Sequence, residues 1–161
     1  MIQSKSSPGG KVAGVGGCTC FKLRRLTRRV TAVYDRALSA AGMRVTQYSV
    51  LSHLRGLRDA PISQLAQMLD MDRTTLTRNL RPLLEAGWVA VAPGTDDARI
   101  RLVHITPAGD AQWQSARIYW RRAQDEVSAT IGPGNLAGLH QMLDDYVPLF
   151  RPAAGSEGGT E

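Results

Sequence analysis

Between Asp72 and Ile105 the apolar residues change from the period of a helix to that of a strand, and this change constrains the fold more than any other feature. In DRTTLTRNLRPLLEAG, Leu76, Leu83 and Leu84 all fall within roughly 60° of Leu80 in helical projection, so a helix ending at Gly87 would bury one leucine face. The stretches Trp88–Ala92 and Ile100–Ile105 are short and rich in β-branched and aromatic residues. Pro93, Gly94, Thr95, Asp96 and Asp97 lie between them, which predicts a two-stranded hairpin with a polar tip.

The remaining periodicity is helical. Apolar residues from Phe21 through Leu23, Leu26, Val30, Val33 and Tyr34 to Leu38 make one stripe of a long helix that Gly42 ends. Thr46 is expected to cap a second helix with Tyr48, Val50, Leu51 and Leu54 inward, stopping between Gly56 and Pro61. Ser63 is expected to cap a short third one carrying Leu65, Ala66 and Leu69. A tight turn at Asp70 and Met71 follows, and Asp72 caps the next helix. After the hairpin, Thr106-Pro107 supplies a cap and a first helical proline for a long helix to about Thr130. Gly132-Pro133-Gly134 breaks it, and a last helix runs from about Asn135 to Phe150. The fold class is mainly α with a small β-hairpin wing.

At 161 residues with 43% hydrophobic content, the chain suits one compact domain with a real core. Its longest apolar runs are too short to cross a bilayer, and its first residues lack a signal-peptide core, which together predict a cytoplasmic protein without a membrane partner. Cys18 and Cys20 are too close for an ordinary structural disulfide, and His53, His104 and His140 make no zinc spacing with them. Nucleophile-elbow, phosphate-loop and HExxH patterns are absent. The expectation is therefore a non-enzyme with neither metal nor cofactor. A formal net charge of +6 points to an anionic partner, and the excess is concentrated at Lys22–Arg29 and at Arg73, Arg78, Arg81, Arg99 and Arg101.

The fourth helix shows what that partner could be. Opposite its leucines stand Thr74, Thr75 and Arg78, with Arg81 at the flank, a face offering hydroxyls and guanidiniums and no acid. Arginine can give a guanine edge two hydrogen bonds, and threonine can bond a phosphate or touch a thymine methyl. Arg73 and Thr77 belong to the same helix. With the short helix and tight turn before it, the arrangement is a helix-turn-helix. Asp97-Ala98-Arg99 puts an arginine at the hairpin tip, where it can enter a narrow minor groove, held by Asp97 through a charge-assisted hydrogen bond; Arg101 follows on the strand. Pro82 removes a backbone donor and invites a kink near Arg78. A winged helix that binds protein instead of DNA is the alternative.

The run LAQMLDMDRTTLTRNLRPLLEAGWV followed by DDARIRLVHITPAG resembles the MarR family of bacterial regulators. In that family a similar pattern forms the recognition helix, a wing with an Asp-x-Arg tip, and a Leu-Thr-x-x-Gly opening of the next helix. Here the last of these reads Ile105-Thr106-Pro107-Ala108-Gly109. The resemblance, over about Cys20 to Phe150, implies a homodimer built from the first and last two helices on a pseudo-palindromic operator, usually repressing. It divides the chain into a disordered arm (1–17), a helical dimerisation region (18–45 and 107–150), a winged helix-turn-helix DNA-binding lobe (46–106) and a disordered tail (151–161). The apolar surface of Leu136, Leu139, Met142, Leu143, Tyr146, Val147 and Phe150, joined by Ile118, Trp113 and Trp120, agrees with a dimer. A small aromatic or phenolic effector, common in the family, would bind between the dimer helices and the DNA-binding lobe. Cys20-Phe21 and Tyr34 also resemble peroxide-sensing members, although the second tyrosine those members use would fall at Val45. Lys22, Arg24 and Arg25 near a helix start would favour a reactive Cys20 thiolate, with Cys18 beside it.

Overall fold

The structure, a computed structural model, describes residues 17–57, 59–94, 97 and 99–150. Nearly all of the expected N-terminal arm and all of the expected C-terminal tail lie outside the described residues, as do Thr95, Asp96 and Ala98 of the hairpin tip. In chain order the elements are α1 (Thr19–Leu38), α2 (Val45–Leu57), β1 (Asp59–Pro61), α3 (Ile62–Met68), α4 (Arg73–Glu85), β2 (Val89–Pro93), β3 (Arg101–Ile105), α5 (Pro107–Ile131) and α6 (Pro133–Tyr146). Short 3-10 turns follow α1 and α6. Gly42, at φ 62°, takes the left-handed conformation that closes the turn after α1.

Two helix starts differ from expectation. Helix α2 begins at Val45, so Thr46 is already helical. The Asp35 carboxylate accepts the Val45 N–H at 2.8 Å, and the Gln47 side chain accepts the Arg44 N–H at 2.8 Å. Helix α3 begins at Ile62 directly after the extended Pro61, with no side-chain cap, so Ser63 lies in its first turn. The reason is a third strand that the sequence pattern does not reveal. Residues Asp59–Pro61 pair antiparallel with β3, Ala60 opposite Val103, and the sheet order is β1-β3-β2. The expected hairpin is present as β2 and β3, with Val89 opposite Ile105 and Pro93 opposite Arg101.

The core sits where α2, α3 and α4 meet the sheet. Leu51, Leu54, Leu65, Leu76, Leu83 and Val103 are completely buried, each contributing about 1.5–3 kcal/mol relative to exposure. In α4, Leu76, Leu80 and Leu83 point inward as expected, but Leu84 is 41% exposed. The buried arc is centred between Leu76, Leu80 and Leu83, which leaves Leu84 at its edge, about 75° away. The helix runs unbroken through Pro82. Trp113 and Trp120 are not free interface residues: both pack within the chain against Tyr48, which is 5% exposed. By contrast α1 buries only Leu38 and α6 buries nothing. The last helix also starts two residues early, at Pro133, and turns 3-10 from Val147 to Phe150.

Candidate nucleic-acid interface

Helix α4 is set by its first residue contacts. The Asp72 carboxylate accepts the Thr75 backbone N–H at 2.8 Å and the Thr75 hydroxyl at 2.6 Å. Those bonds, the hydroxyl's first, hold its carboxyl below the usual range. The turn from α3 passes through Asp70 at φ 50°, a left-handed conformation that a short polar side chain tolerates. Asn79 then ties the turn to the helix through the Met71 sulfur at 3.4 Å.

Thr74, Thr75, Thr77, Arg73, Arg78 and Arg81 are all exposed. Their freedom differs. The Thr75 hydroxyl is committed to the cap, and the Thr77 hydroxyl donates to the Arg73 carbonyl at 2.8 Å, whereas Thr74 and Arg78 have no such tie among the described residues. The expected acid-free face needs one correction: Arg81 Nε donates to Glu85 Oε1 at 2.8 Å, one turn further on. An exposed pair of this kind is weak and breaks readily for a stronger anion.

The wing loop closes by backbone contacts. Gly94 N–H donates to the Ile100 carbonyl at 2.7 Å, and a side chain at 94 would crowd the Asp97 carbonyl at 2.8 Å. Asp97 does not hold the Arg99 guanidinium as expected; its carboxylate accepts the Arg99 backbone N–H at 2.9 Å. A short aspartate side chain naturally reaches the amide two residues ahead, leaving the longer arginine to extend past it. Arg73, Arg99 and Arg101, from the helix start and the wing, line one recess.

The expected redox residues do not assemble within one chain. Cys18 and Cys20 are free thiols, exposed at the start of α1. Tyr34 lies fourteen residues further along the same helix, about 21 Å away along its axis. It instead lines an apolar cavity of about 240 Å³ between α1, α5 and α6, together with Leu26, Val30, Leu139 and His140. Burial raises the pKa of its phenol, so it stays a neutral hydroxyl. His53 bonds the Ser49 carbonyl, and His104 stands 3.9 Å from Asp59, so the three histidines serve separate places. Among the described residues no three metal-binding side chains converge, and no helix is long and apolar enough to cross a membrane.

One cluster is not foreseen from the sequence. Tyr48 lies between Trp113 and Trp120, with ring centroids 5.6 Å away on each side and the planes nearly parallel. Trp113 Nε1 donates to Ser52 Oγ at 2.7 Å, and the Arg55 guanidinium lies 3.9 Å from the Trp113 ring centre. Arg55 also pairs with Asp110, which Arg55 and then Gln114 hold below the usual carboxylate range. The signal was the matched spacing of Tyr48, Ser52 and Arg55 on one helix and Trp113, Arg117 and Trp120 on the other.

A capped, basic helix presented beside a three-stranded wing defines a winged helix-turn-helix protein. The profile of the MarR family matches residues 43–100. MarR of Salmonella typhimurium is 31% identical over 133 residues, an alignment covering 78% of this chain and 91% of that protein. The transcriptional activatory protein BadR of Rhodopseudomonas palustris is 28% identical over 88% of this chain and 85% of its own. The crystal structure of the M. tuberculosis transcriptional regulator MosR in complex with DNA superposes with a TM-score of 0.66 at 36% identity, covering 80% of this chain and 97% of that one. The chain belongs to the MarR family of transcriptional regulators, a family of DNA-binding transcription factors and not of enzymes.

Proposed function

We propose that the chain is a homodimeric repressor of a double-stranded, pseudo-palindromic DNA operator. Residues 46–106 form the DNA-binding lobe, and residues 18–45 and 107–150 the dimerisation region. Thr74, Thr75, Arg78 and Arg81 enter the major groove, with Arg73 and Thr77 beside them, while Asp97 orders the wing turn that sends Arg99 into the adjacent minor groove. Arg101 adds charge at the root of the wing. The carrying observation is the exposed Thr74–Arg78 face on a helix whose start is fixed by Asp72 and whose flank is a wing bearing two arginines. The resemblance to MosR, crystallised with DNA, supports the partner. Exposed Phe21, Leu23 and Leu26 on α1 and Met142, Leu143 and Tyr146 on α6 support the dimer.

A small aromatic or phenolic effector releases the DNA. What supports this is the mainly apolar cavity beside Tyr34 and His140, whose wall also offers Thr27, Thr31 and Gln124 as polar groups. The cavity lies among the long helices; at their junction with the lobe, where the effector is expected, Tyr48 stacks between Trp113 and Trp120, and more polar hollows open beside Arg55, His104 and Asp110 and beside Asp35, Met43 and Gln47.

The test begins with the genomic fragment the protein retains. On it, Arg99→Ala lowers affinity and flattens the salt dependence, because a phosphate-rich groove loses one cation; an unchanged slope removes the wing assignment, and a protein that retains no fragment is a protein-interaction module. Expression from the retained promoter rises when the protein is deleted; a fall would mean activation. The exposure of Cys18 and Cys20 beside Lys22, Arg24 and Arg25 favours a second reading, control by thiol oxidation. Under it, hydroperoxide releases the operator from the wild type and not from Cys20→Ser.

A further inference from the structure

We infer that the recess between α3, the start of α4 and the wing is the seat of one DNA backbone phosphodiester, held by Arg73 and Arg101 with Ser63. The inference rests on the DNA-binding reading above and adds the contact that joins its two groove-entering parts. The recess has a volume of about 160 Å³, and three arginines line it, Arg73, Arg99 and Arg101. Three arginines elsewhere are ion-paired, Arg36 with Glu126, Arg55 with Asp110 and Arg81 with Glu85, and what sets the recess apart is that three arginines share one hollow. No carboxylate among the described residues is within ion-pairing distance of the three in the recess, and none lines it. Like charges gathered in one hollow repel, and an anion there relieves the repulsion.

The placement is built by the backbone. Arg73 is the first residue of α4, fixed by the Asp72 cap. Arg101 opens β3, opposite Pro93. The third strand brings the remaining wall: Pro61 pairs with Leu102, so Ser63 at the start of α3 comes beside the wing root. Ile100, 45% exposed, also borders the recess. Arginine's planar fork suits phosphate oxygens, and the serine hydroxyl can donate a further bond. Arg99, assigned to the minor groove, adds its charge to the field at the seat. One phosphate gripped here fixes the register between the helix in the major groove and the wing in the next minor groove.

The experiment replaces phosphates of the retained operator one at a time with uncharged methylphosphonates. For the wild type, one position per half-site, between the two grooves, should lower affinity about tenfold, the size of one charge-assisted hydrogen bond. In Arg73→Gln and in Arg101→Gln the same substitution should cost clearly less than in the wild type, and in the double variant nothing, while sensitivity at other phosphates and sequence preference persist. The salt slope should fall by about 0.9 for each phosphate charge no longer neutralised. Ser63→Ala, which leaves all charge in place, should weaken the same phosphate alone. A scan identical to the wild type in both arginine variants overturns the seat and leaves the DNA reading intact. A wild type that binds no DNA overturns both. Saturable uptake of inorganic phosphate, lost in Arg101→Gln but without any effect on the operator scan, would show a free-phosphate site and overturn the DNA assignment.

Discussion

Asp72 closes two donors at once, the amide and the hydroxyl of Thr75, and both bonds are stronger to its ionised carboxylate than to the neutral acid. Because its folded pKa is depressed, its stabilising contribution is complete above the unfolded value near 3.9 and is lost as the pH falls through the lower folded value. Asp72→Ala should lower the melting temperature by a few degrees at neutral pH, as loss of an N-cap does, with the difference from wild type shrinking below about pH 4. Thermal melts of the two proteins from pH 7 to pH 3 measure this; a gap independent of pH would assign the effect to the backbone alone. This cap was legible because its acceptor and donor are three residues apart. The start of α2 was not, because the acceptor for Val45 is Asp35, ten residues upstream on another helix. The Asp97–Arg99 pairing was half legible: the two residues do bond, but through the amide.

At the scale of elements, Thr106 to Gly109 fastens α5 to the end of α4. The Thr106 hydroxyl donates to the Gly87 carbonyl at 2.6 Å and accepts the Gly109 N–H at 3.1 Å, while its own N–H donates to the Trp88 carbonyl at 3.0 Å. Gly109 is buried in the first turn, and a Cβ there would overlap the Trp88 carbonyl. Backbone cannot retreat like a flexible side chain, so Gly109→Ala should destabilise by about 3 kcal/mol. Urea denaturation checks it; an unchanged midpoint would mean α5 shifts freely against the sheet. The sequence pattern showed this junction through its glycine and threonine without showing its reason. It did not show β1 at all. Three residues ending in proline carry no alternation, and their hydrogen-bond partners stand on β3, more than forty residues away. The candidate site was legible on α4, where a helical projection separates Leu80 from Arg78. The recess was not, because Ser63 reaches Arg101 only through that unforeseen strand.

Over the whole molecule, the two ends of the chain behave differently from its middle. The Tyr48 stack joins α2 to α5, so removing one of its outer rings should open a cavity and strain the lobe against the long helix. Trp113→Ala should cost about 3–5 kcal/mol, read in the same denaturation experiment, and a loss below about 1 kcal/mol would mean that the stack closes over the gap. The outer helices instead leave their apolar residues open: Tyr146 is 54% and Phe150 83% exposed. Such residues contribute little to the chain's own core, so charging them should leave the lobe folded and affect only association. For wild type, sedimentation should give about double the 17.5 kDa chain mass. The double variant Tyr146→Asp, Phe150→Asp should sediment as a folded monomer with unchanged far-ultraviolet dichroism. Each monomer would then meet one half-site alone, losing the effective concentration that a tethered second lobe provides, and operator affinity should fall by about 10²-fold or more. A wild type that is monomeric at micromolar concentration would overturn the dimer. A double variant that remains dimeric would place the contact on other faces of α1 and α5.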